Sequence, residues 1–391
     1  MKELDFATLA VHAGEAPCPA TGALDTPIYQ STTFVSANAD EMAAVYGEEK
    51  PGFMYTRYGN PTIRALEQKL AALEGGEAAL ATASGMAAVS SAILGYIQTG
   101  DHVVAAQSIY GASYNFLNTK LPRMGASATF VDSPRVEAFE KALRPNTRLI
   151  YFETPSNPVL EVIDIAAIAA LARSRGIPAI VDNTFASPAL QRPLALGAAV
   201  VVHSATKYLC GHGDAMGGAI IGPADYISLL LHEILRDFGG VISPFNAWLI
   251  LRGIRTLHLR MTAHCANAQK IAEFLARHPK VERVNYPGLA QHPGHSIASR
   301  QMSAFGAMIS FEVQGGYEGG KRVMDGVKLF ARAASLGDTR SLIVHPASTS
   351  HRAVPPDDRR AIGISDGLVR LSVGIEAADD LIGDLDHALE C

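Results

Sequence analysis

From about residue 78 to residue 222, short apolar runs alternate with amphipathic stretches, and this alternation constrains the fold more than any other feature. The runs cover residues 78–83, 102–106, 128–131, 149–153, 179–182, 200–203 and 219–221. Helical periodicity fills stretches between them, such as 136–143 and 165–172. A run that is apolar at nearly every position reads as a strand buried on both faces. A mostly parallel sheet covered by helices on both sides buries strands in that way. The chain is therefore predicted to be α/β, with ligands bound at the carboxyl ends of its strands.

The flanking segments differ from this core. Residues 1–60 are rich in Gly and Pro and show no clear periodicity, which predicts an irregular arm that reaches a neighbouring subunit. Asn60-Pro61 reads as a helix start, with Ile63, Leu66, Leu70 and Leu73 on one face and Gly75-Gly76 as the stop. Beyond about 245 a long helical stretch to 277 precedes strand-like segments at 281–286, 308–313 and 368–373, and a final helix spans 376–389. The expected division is an arm over 1–60, an α/β domain over 61–245 and a smaller α+β C-terminal domain over 246–391. A chain of 391 residues is long enough for two cores.

Composition narrows the function. The net charge is −5 and no Lys/Arg-rich run occurs, so neither a nucleic-acid groove nor a membrane-surface patch is expected. No uninterrupted apolar stretch reaches transmembrane length. The first residues, Met1-Lys2-Glu3-Leu4-Asp5, are not those of a signal peptide. Cys18, Cys210, Cys265 and Cys391 are widely spaced and form no C-x-x-C pair, as for reduced thiols in a cytoplasm. No metal site is expected: Cys210 with His212, or His264 with Cys265, supplies only two ligands.

Three segments carry chemistry. The strand 200–203 runs into Ser204-Ala205-Thr206-Lys207. A lysine at a strand end can be desolvated and freed for Schiff-base chemistry, and Ser204 and Thr206 are spaced to hold a phosphate. The strand 179–182 ends on Asp182, which can pair with a protonated ring nitrogen. The turn Ser84-Gly85-Met86 stands between a strand and a predicted helix, where backbone N–H groups bind phosphate. Each segment alone has an ordinary structural reading as a surface lysine, a capping acid or a turn. Together, with Lys207 following Asp182 by 25 residues, they match the needs of pyridoxal 5′-phosphate: imine lysine, pyridinium partner and phosphate anchor.

Ser84-Gly85-Met86, Glu153-Thr154-Pro155-Ser156-Asn157-Pro158, Val181-Asp182-Asn183-Thr184 and His203-Ser204-Ala205-Thr206-Lys207-Tyr208 resemble the Cys/Met-metabolism family of pyridoxal phosphate enzymes. The resemblance implies the aspartate aminotransferase-like, fold type I architecture. It implies that Lys207 carries the cofactor and shuttles protons, that Asp182 binds the ring nitrogen, and that Gly85, Met86, Ser204 and Thr206 bind the phosphate. Tyr55 and Arg57 would reach the phosphate of a neighbouring subunit, within a homotetramer built as a dimer of active dimers. Tyr110 would stack on the ring and act as acid and base at the leaving group. Asn157 would contact the ring oxygen, Ser335 would help fix the lysine, and Arg370 would pair with the carboxylate of an amino-acid substrate in a forked geometry.

Within the family the specificity positions diverge. Methionine γ-lyases often carry a cysteine where this chain has Ala112, and a Lys-Asp pair where it has Arg236-Asp237. Cystathionine-processing members usually carry Glu where Ala334 stands. The segments 243–248 and 337–349 look like the sulfhydrylases, whereas 208–214 and 264–269 look like methionine γ-lyase. These positions favour an O-acylhomoserine sulfhydrylase, with methionine or homocysteine γ-lyase as the alternative and a cystathionine γ-synthase or lyase as a minor one. A catalytically dead cofactor-binding protein is the non-enzyme rival, and the full set of candidate residues argues against it.

Overall fold

The computed structural model describes residues 4–349, 352, 356–361 and 363–390. The acidic N-terminal reading thus falls partly, at residues 1–3, and Cys391 wholly, outside the described residues. All seven apolar runs are strands of one sheet: β1 (Ala78–Thr82), β2 (His102–Ala106), β3 (Ser127–Val131), β4 (Thr147–Glu153), β5 (Ala179–Asp182), β6 (Val200–His203) and β7 (Gly218–Gly222). Their order is β1-β7-β6-β5-β4-β2-β3, and only β7 runs against its neighbours. Every residue of β2, β5, β6 and β7 is buried, which explains the unbroken apolar runs.

Two short helices, α1 (Phe6–His12) and α2 (Ala39–Tyr46), interrupt the arm, which the sequence reading treats as irregular throughout. Their Asp5 and Asn38 caps are the local signal for them: each side chain accepts a bond from an amide of the first turn. Helix α3 (Pro61–Glu74) starts and stops as the sequence predicts, on Asn60 and on a left-handed Gly75. Leu66, Leu70 and Leu73 on its inner face are fully buried. Helix α4 (Gly85–Leu94) and the five-residue α5 (Gly111–Asn115) follow β1 and β2.

The long helical stretch after 245 is two helices, Pro244–Ile254 and Leu257–Leu275. At the break the Gly253 carbonyl accepts from the Arg260 guanidinium at 2.8 Å, and Arg260 also reaches the Tyr208 carbonyl at 2.8 Å. The second sheet contains β8 (Val281–Asn285), β9 (Met308–Val313), β10 (Ala331–Arg332), β11 (Leu342–Val344) and β12 (Leu368–Ser372), in the order β10-β11-β12-β9-β8. β10 and β11 are two and three residues long, too short for any periodicity to reveal. The last helix runs Ala378–Glu390. Among the described residues no helix is long and apolar enough to cross a membrane, and Cys18, Cys210 and Cys265 are unpaired.

A buried charge cluster ties the arm to this body. The Lys69 side chain is wholly buried; its ammonium donates to the Ala10 carbonyl (2.8 Å), the Val11 carbonyl (3.1 Å) and Glu15 Oε1 (2.6 Å). Arg255 pairs with both Glu15 and Asp25. Burial opposes the charge on Glu15, but its bonds to Arg255 and Lys69 outweigh that and hold its carboxyl below the usual glutamate range. Removing Glu15 strands a buried ammonium, so Glu15→Ala is expected to cost about 3 kcal/mol in urea unfolding at neutral pH. The lowered carboxyl stabilises the fold above its unfolded pKa of about 4.3, and that gain is lost as pH falls through the folded value. The gap between wild type and variant should therefore narrow in acid; a gap constant with pH would contradict the assignment.

Candidate active site

The parallel strands deliver their carboxyl ends to one edge of the sheet. Glu153 lies opposite Asp182 in the β4–β5 register, and Asp182 lies opposite Val202 in β5–β6, one residue before His203 closes β6. Four residues beyond His203, the Lys207 ammonium donates to Ser335 Oγ at 2.8 Å. Burial, and then the charge of Arg370, push the Lys207 amine below its ordinary range. Ser335 holds a left-handed backbone (φ 117°), which costs a serine about 1–3 kcal/mol and is characteristic of constrained functional positions.

Arg370 comes from β12 in the second sheet and reaches this edge. Its guanidinium donates to Asn157 Oδ1 (2.8 Å) and to the Ser335 carbonyl (3.0 Å), while its Nε is buried with no partner. Burial lowers its pKa to about 10, so it stays charged at neutral pH. Asp182 accepts from the Thr184 amide (3.0 Å) and hydroxyl (2.5 Å), and from the Tyr151 hydroxyl at 3.5 Å. All these partners are neutral. Burial raises the Asp182 carboxyl against the pull of its Thr184 bonds. A protonated ring nitrogen is the cationic partner such a carboxylate lacks.

The other end of the site is built for an anion. Ser84 caps α4 by accepting from the Ala87 amide at 3.1 Å. The next amides, on Gly85 and Met86, belong to the first helical turn and have no intrahelical acceptor. A Cβ on Gly85 would stand 2.7 Å from Ser204 Cβ and 2.9 Å from Ser204 Oγ. Only glycine therefore lets the helix start lie against the strand end that carries Ser204. On the third side, Glu153 accepts from the Tyr110 amide (Oε1, 2.9 Å) and from the Asn157 amide (Oε2, 3.4 Å).

Gly85, Met86, Ser204, Lys207, Asp182, Asn157 and Tyr110 thus follow strands of the large sheet or end them, and Ser335 and Arg370 reach the same edge from the C-terminal half of the chain. The remaining sequence-predicted residues are placed differently. The Thr206 hydroxyl donates to the Gly217 carbonyl (3.1 Å) and accepts its amide (3.0 Å), so its proton serves the backbone rather than a phosphate. Tyr55 and Arg57 line a cavity of about 320 Å³ with Gln30, Ser31 and residues 241–244. Arg57 donates to the Arg236 carbonyl, and its guanidinium lies over the Tyr58 ring. Arg236 points at the arm: it pairs with Glu48 at 2.9 Å and stacks on Tyr58 at 4.8 Å, so its side chain braces the arm instead of facing Lys207. Ala112 is in the first turn of α5, two residues after Tyr110.

Sequence reasoning gave no role to Glu153, Thr184 or Tyr151, nor to the buried Glu74, whose Oε1 lies 2.6 Å from His203 Nε2 and accepts from Asn183 at 2.9 Å. Glu153 alone carried a usable signal, since it ends an apolar strand as Asp182 does. Among the described residues no group of three or more His, Cys, Asp or Glu side chains is arranged to hold a metal ion. The donor set fits pyridoxal phosphate: amides and a hydroxyl at the anion end, a carboxylate with neutral partners at the other, and a desolvated amine nearby.

Comparisons with known proteins give the family. The family model for Cys/Met metabolism PLP-dependent enzymes matches residues 7–390. The L-methionine gamma-lyase of Porphyromonas gingivalis is 49% identical, over 98% of this chain and 97% of that protein. The O-succinylhomoserine sulfhydrylase of Pseudomonas aeruginosa is 44% identical, over 98% of this chain and 95% of that protein. Among solved structures, metB from Corynebacterium glutamicum superposes with a TM-score of 0.94 at 43% identity, covering 99% of this chain and 98% of that one. An α/β fold with a lysine, an acid and an anion cradle at one sheet edge, and similarity over nearly the whole chain, lead to one conclusion: this chain belongs to the Cys/Met metabolism family of PLP-dependent enzymes.

Proposed function

We propose that this enzyme is a γ-lyase acting on methionine or homocysteine, releasing a thiol, ammonia and 2-oxobutanoate. The observation that carries the reading is the 49% identity to an L-methionine gamma-lyase across nearly the full length of both chains. This reverses the order drawn from the specificity positions, which put the sulfhydrylase first. Ala112 and Ala334 place no charge beside Tyr110 or Ser335, which suits a short uncharged side chain such as a methylthioethyl group. O-acylhomoserine sulfhydrylation is the second reading, favoured by the 44% identity to a sulfhydrylase and by the segment 337–349.

When bound, the cofactor supplies an electron sink for charge developing at the substrate α-carbon. Asp182 holds the ring nitrogen protonated, and the Gly85 and Met86 amides with Ser204 hold the phosphate. The Arg370 guanidinium takes the substrate carboxylate, giving its unpartnered Nε an acceptor. The Lys207 amine, desolvated and beside Ser335, removes the α-proton. A second proton then leaves Cβ, and its electron pair forms the Cβ–Cγ double bond as the Cγ–S bond breaks. The Tyr110 hydroxyl delivers a proton to the departing sulfur, and water takes up the four-carbon remainder to give 2-oxobutanoate and ammonia.

The same reading includes an assembly. Leu24, Val35, Tyr46, Phe238 and Phe245 are exposed apolar side chains on the arm and on the segment after β7; Val35 is fully exposed in the single chain. A second copy covering them would bring Tyr55 and Arg57 to a neighbouring phosphate, in a dimer or a tetramer of such dimers. We also assign an arm over 1–60, a domain over 61–245 that holds the seven-stranded sheet and one over 246–391 that holds the five-stranded sheet, and a cytoplasmic location from the unpaired thiols.

Purified protein with pyridoxal phosphate and L-methionine alone is expected to yield 2-oxobutanoate and methanethiol. Homocysteine formed from O-acetyl- or O-succinyl-L-homoserine only when sulfide is added, with methionine inert, would establish the second reading instead. Two substitutions test the residue roles by steady-state kinetics. Lys207→Ala should lower kcat by about 10²–10⁴-fold. Arg370→Lys should raise KM roughly tenfold, the loss of one charge-assisted bond; an unchanged KM would remove Arg370 from carboxylate binding.

A further inference from the structure

We propose that Glu153 is a positioning residue that sets Tyr110 and Asn157 against the cofactor ring by accepting bonds from their backbone amides. The inference rests on the reading that Tyr110 and Asn157 face that ring. Glu153 ends β4, is buried, and stands opposite Asp182 in the strand register. Its two oxygens take amides from two different loops: Tyr110 follows β2 at 2.9 Å, and Asn157 follows β4 at 3.4 Å. A second bond joins the same loops, between the Ser108 and Ser156 hydroxyls at 2.8 Å.

Tyr110 needs such a restraint. It precedes the short helix α5 with no side-chain cap, and its ring is half exposed. The backbone amide is therefore where the body of the protein grips it. Asn157 carries the restraint further, because its Oδ1 accepts from Arg370 at 2.8 Å. One carboxyl thus fixes the acid-base group on one side and, through Asn157, the arginine assigned to the substrate carboxylate on the other. Burial and the neighbouring Asp182 charge push the Glu153 carboxyl well above the usual carboxylate range. The geometry carries the role: each carboxyl oxygen faces a backbone N–H donor, one from each loop.

The test uses holoenzymes carrying Glu153→Asp, Glu153→Gln and Glu153→Leu, each also combined with Tyr110→Phe. Asp retracts the carboxyl by one bond; Gln keeps a carbonyl acceptor for Tyr110; Leu fills the volume with no acceptor and serves if the Asp variant does not fold. The readouts are kcat, the affinity for pyridoxal phosphate in titrations of the apo forms, and the visible absorption of the bound cofactor. Asp and Leu are expected to lower kcat about a hundredfold, as for a misplacement near 1 Å, with a much smaller change in cofactor affinity. Gln should recover most of that loss. In the Tyr110→Phe background the part of the Asp and Leu losses that runs through the Tyr110 hydroxyl should vanish, leaving only the part transmitted by Asn157. Losses that add fully in that background, a Gln variant as impaired as Asp, or Asp and Leu variants with wild-type kcat would each overturn the inference. If wild type develops no visible band with pyridoxal phosphate, the reading of the site fails; a normal band with additive losses defeats the role of Glu153 alone.

Discussion

The parallel alignment of β4, β5 and β6 underlies everything at the site, because it is a constraint of backbone hydrogen bonding rather than of any side chain. Paired in register, the three strands end together, and their last residues Glu153, Asp182 and His203 meet at one edge. Two acids and a histidine are costly to bury, so each is supplied with partners from the loops or from the layer behind. Glu153 accepts two amides, Asp182 accepts from Thr184, and His203 meets Glu74. These partners hold the polar groups in fixed directions. Preorganised polarity of this kind is what a charged cofactor needs.

A second constraint comes from the far sheet. β12 carries Arg370 to the carboxyl edge, where it bonds both Asn157 and the backbone of Ser335. Ser335 in turn accepts from Lys207. The chain Asn157–Arg370–Ser335–Lys207 links the two sheets through the groups assigned to substrate and cofactor. Moving one sheet against the other would disturb all four together. The strained backbone at Ser335 is held there by this same network.

The arm is a separate case. Its attachment rests on Lys69, Glu15 and Arg255, which pin residues 10–15 to α3 and to the turn after the helix Pro244–Ile254. Farther along, Arg236 and Glu48 brace the segment that presents Tyr55 and Arg57. Arg236 shows how a position chosen for specificity by resemblance can instead serve packing: its guanidinium lies on Tyr58, and its carbonyl takes Arg57.

Much of this was legible in the sequence. The seven strands of the large sheet, the start and stop of α3, and the placing of Gly85, Asp182 and Lys207 follow from local pattern, since hydrophobic period and capping residues act over a few positions. β10 and β11 were not legible, because two or three residues carry no period. The break after Ile254 was hidden too, because the Arg260 guanidinium that takes the Gly253 carbonyl is held by the Tyr208 carbonyl, far away in the chain. Sequence alone thus determined the strands of the large sheet and the residues that end them. Only the tertiary structure decided that Thr206 serves Gly217, that Arg236 serves the arm, and that Glu153 holds Tyr110 and Asn157, because each depends on partners distant in the chain or on side-chain direction, which local pattern does not encode.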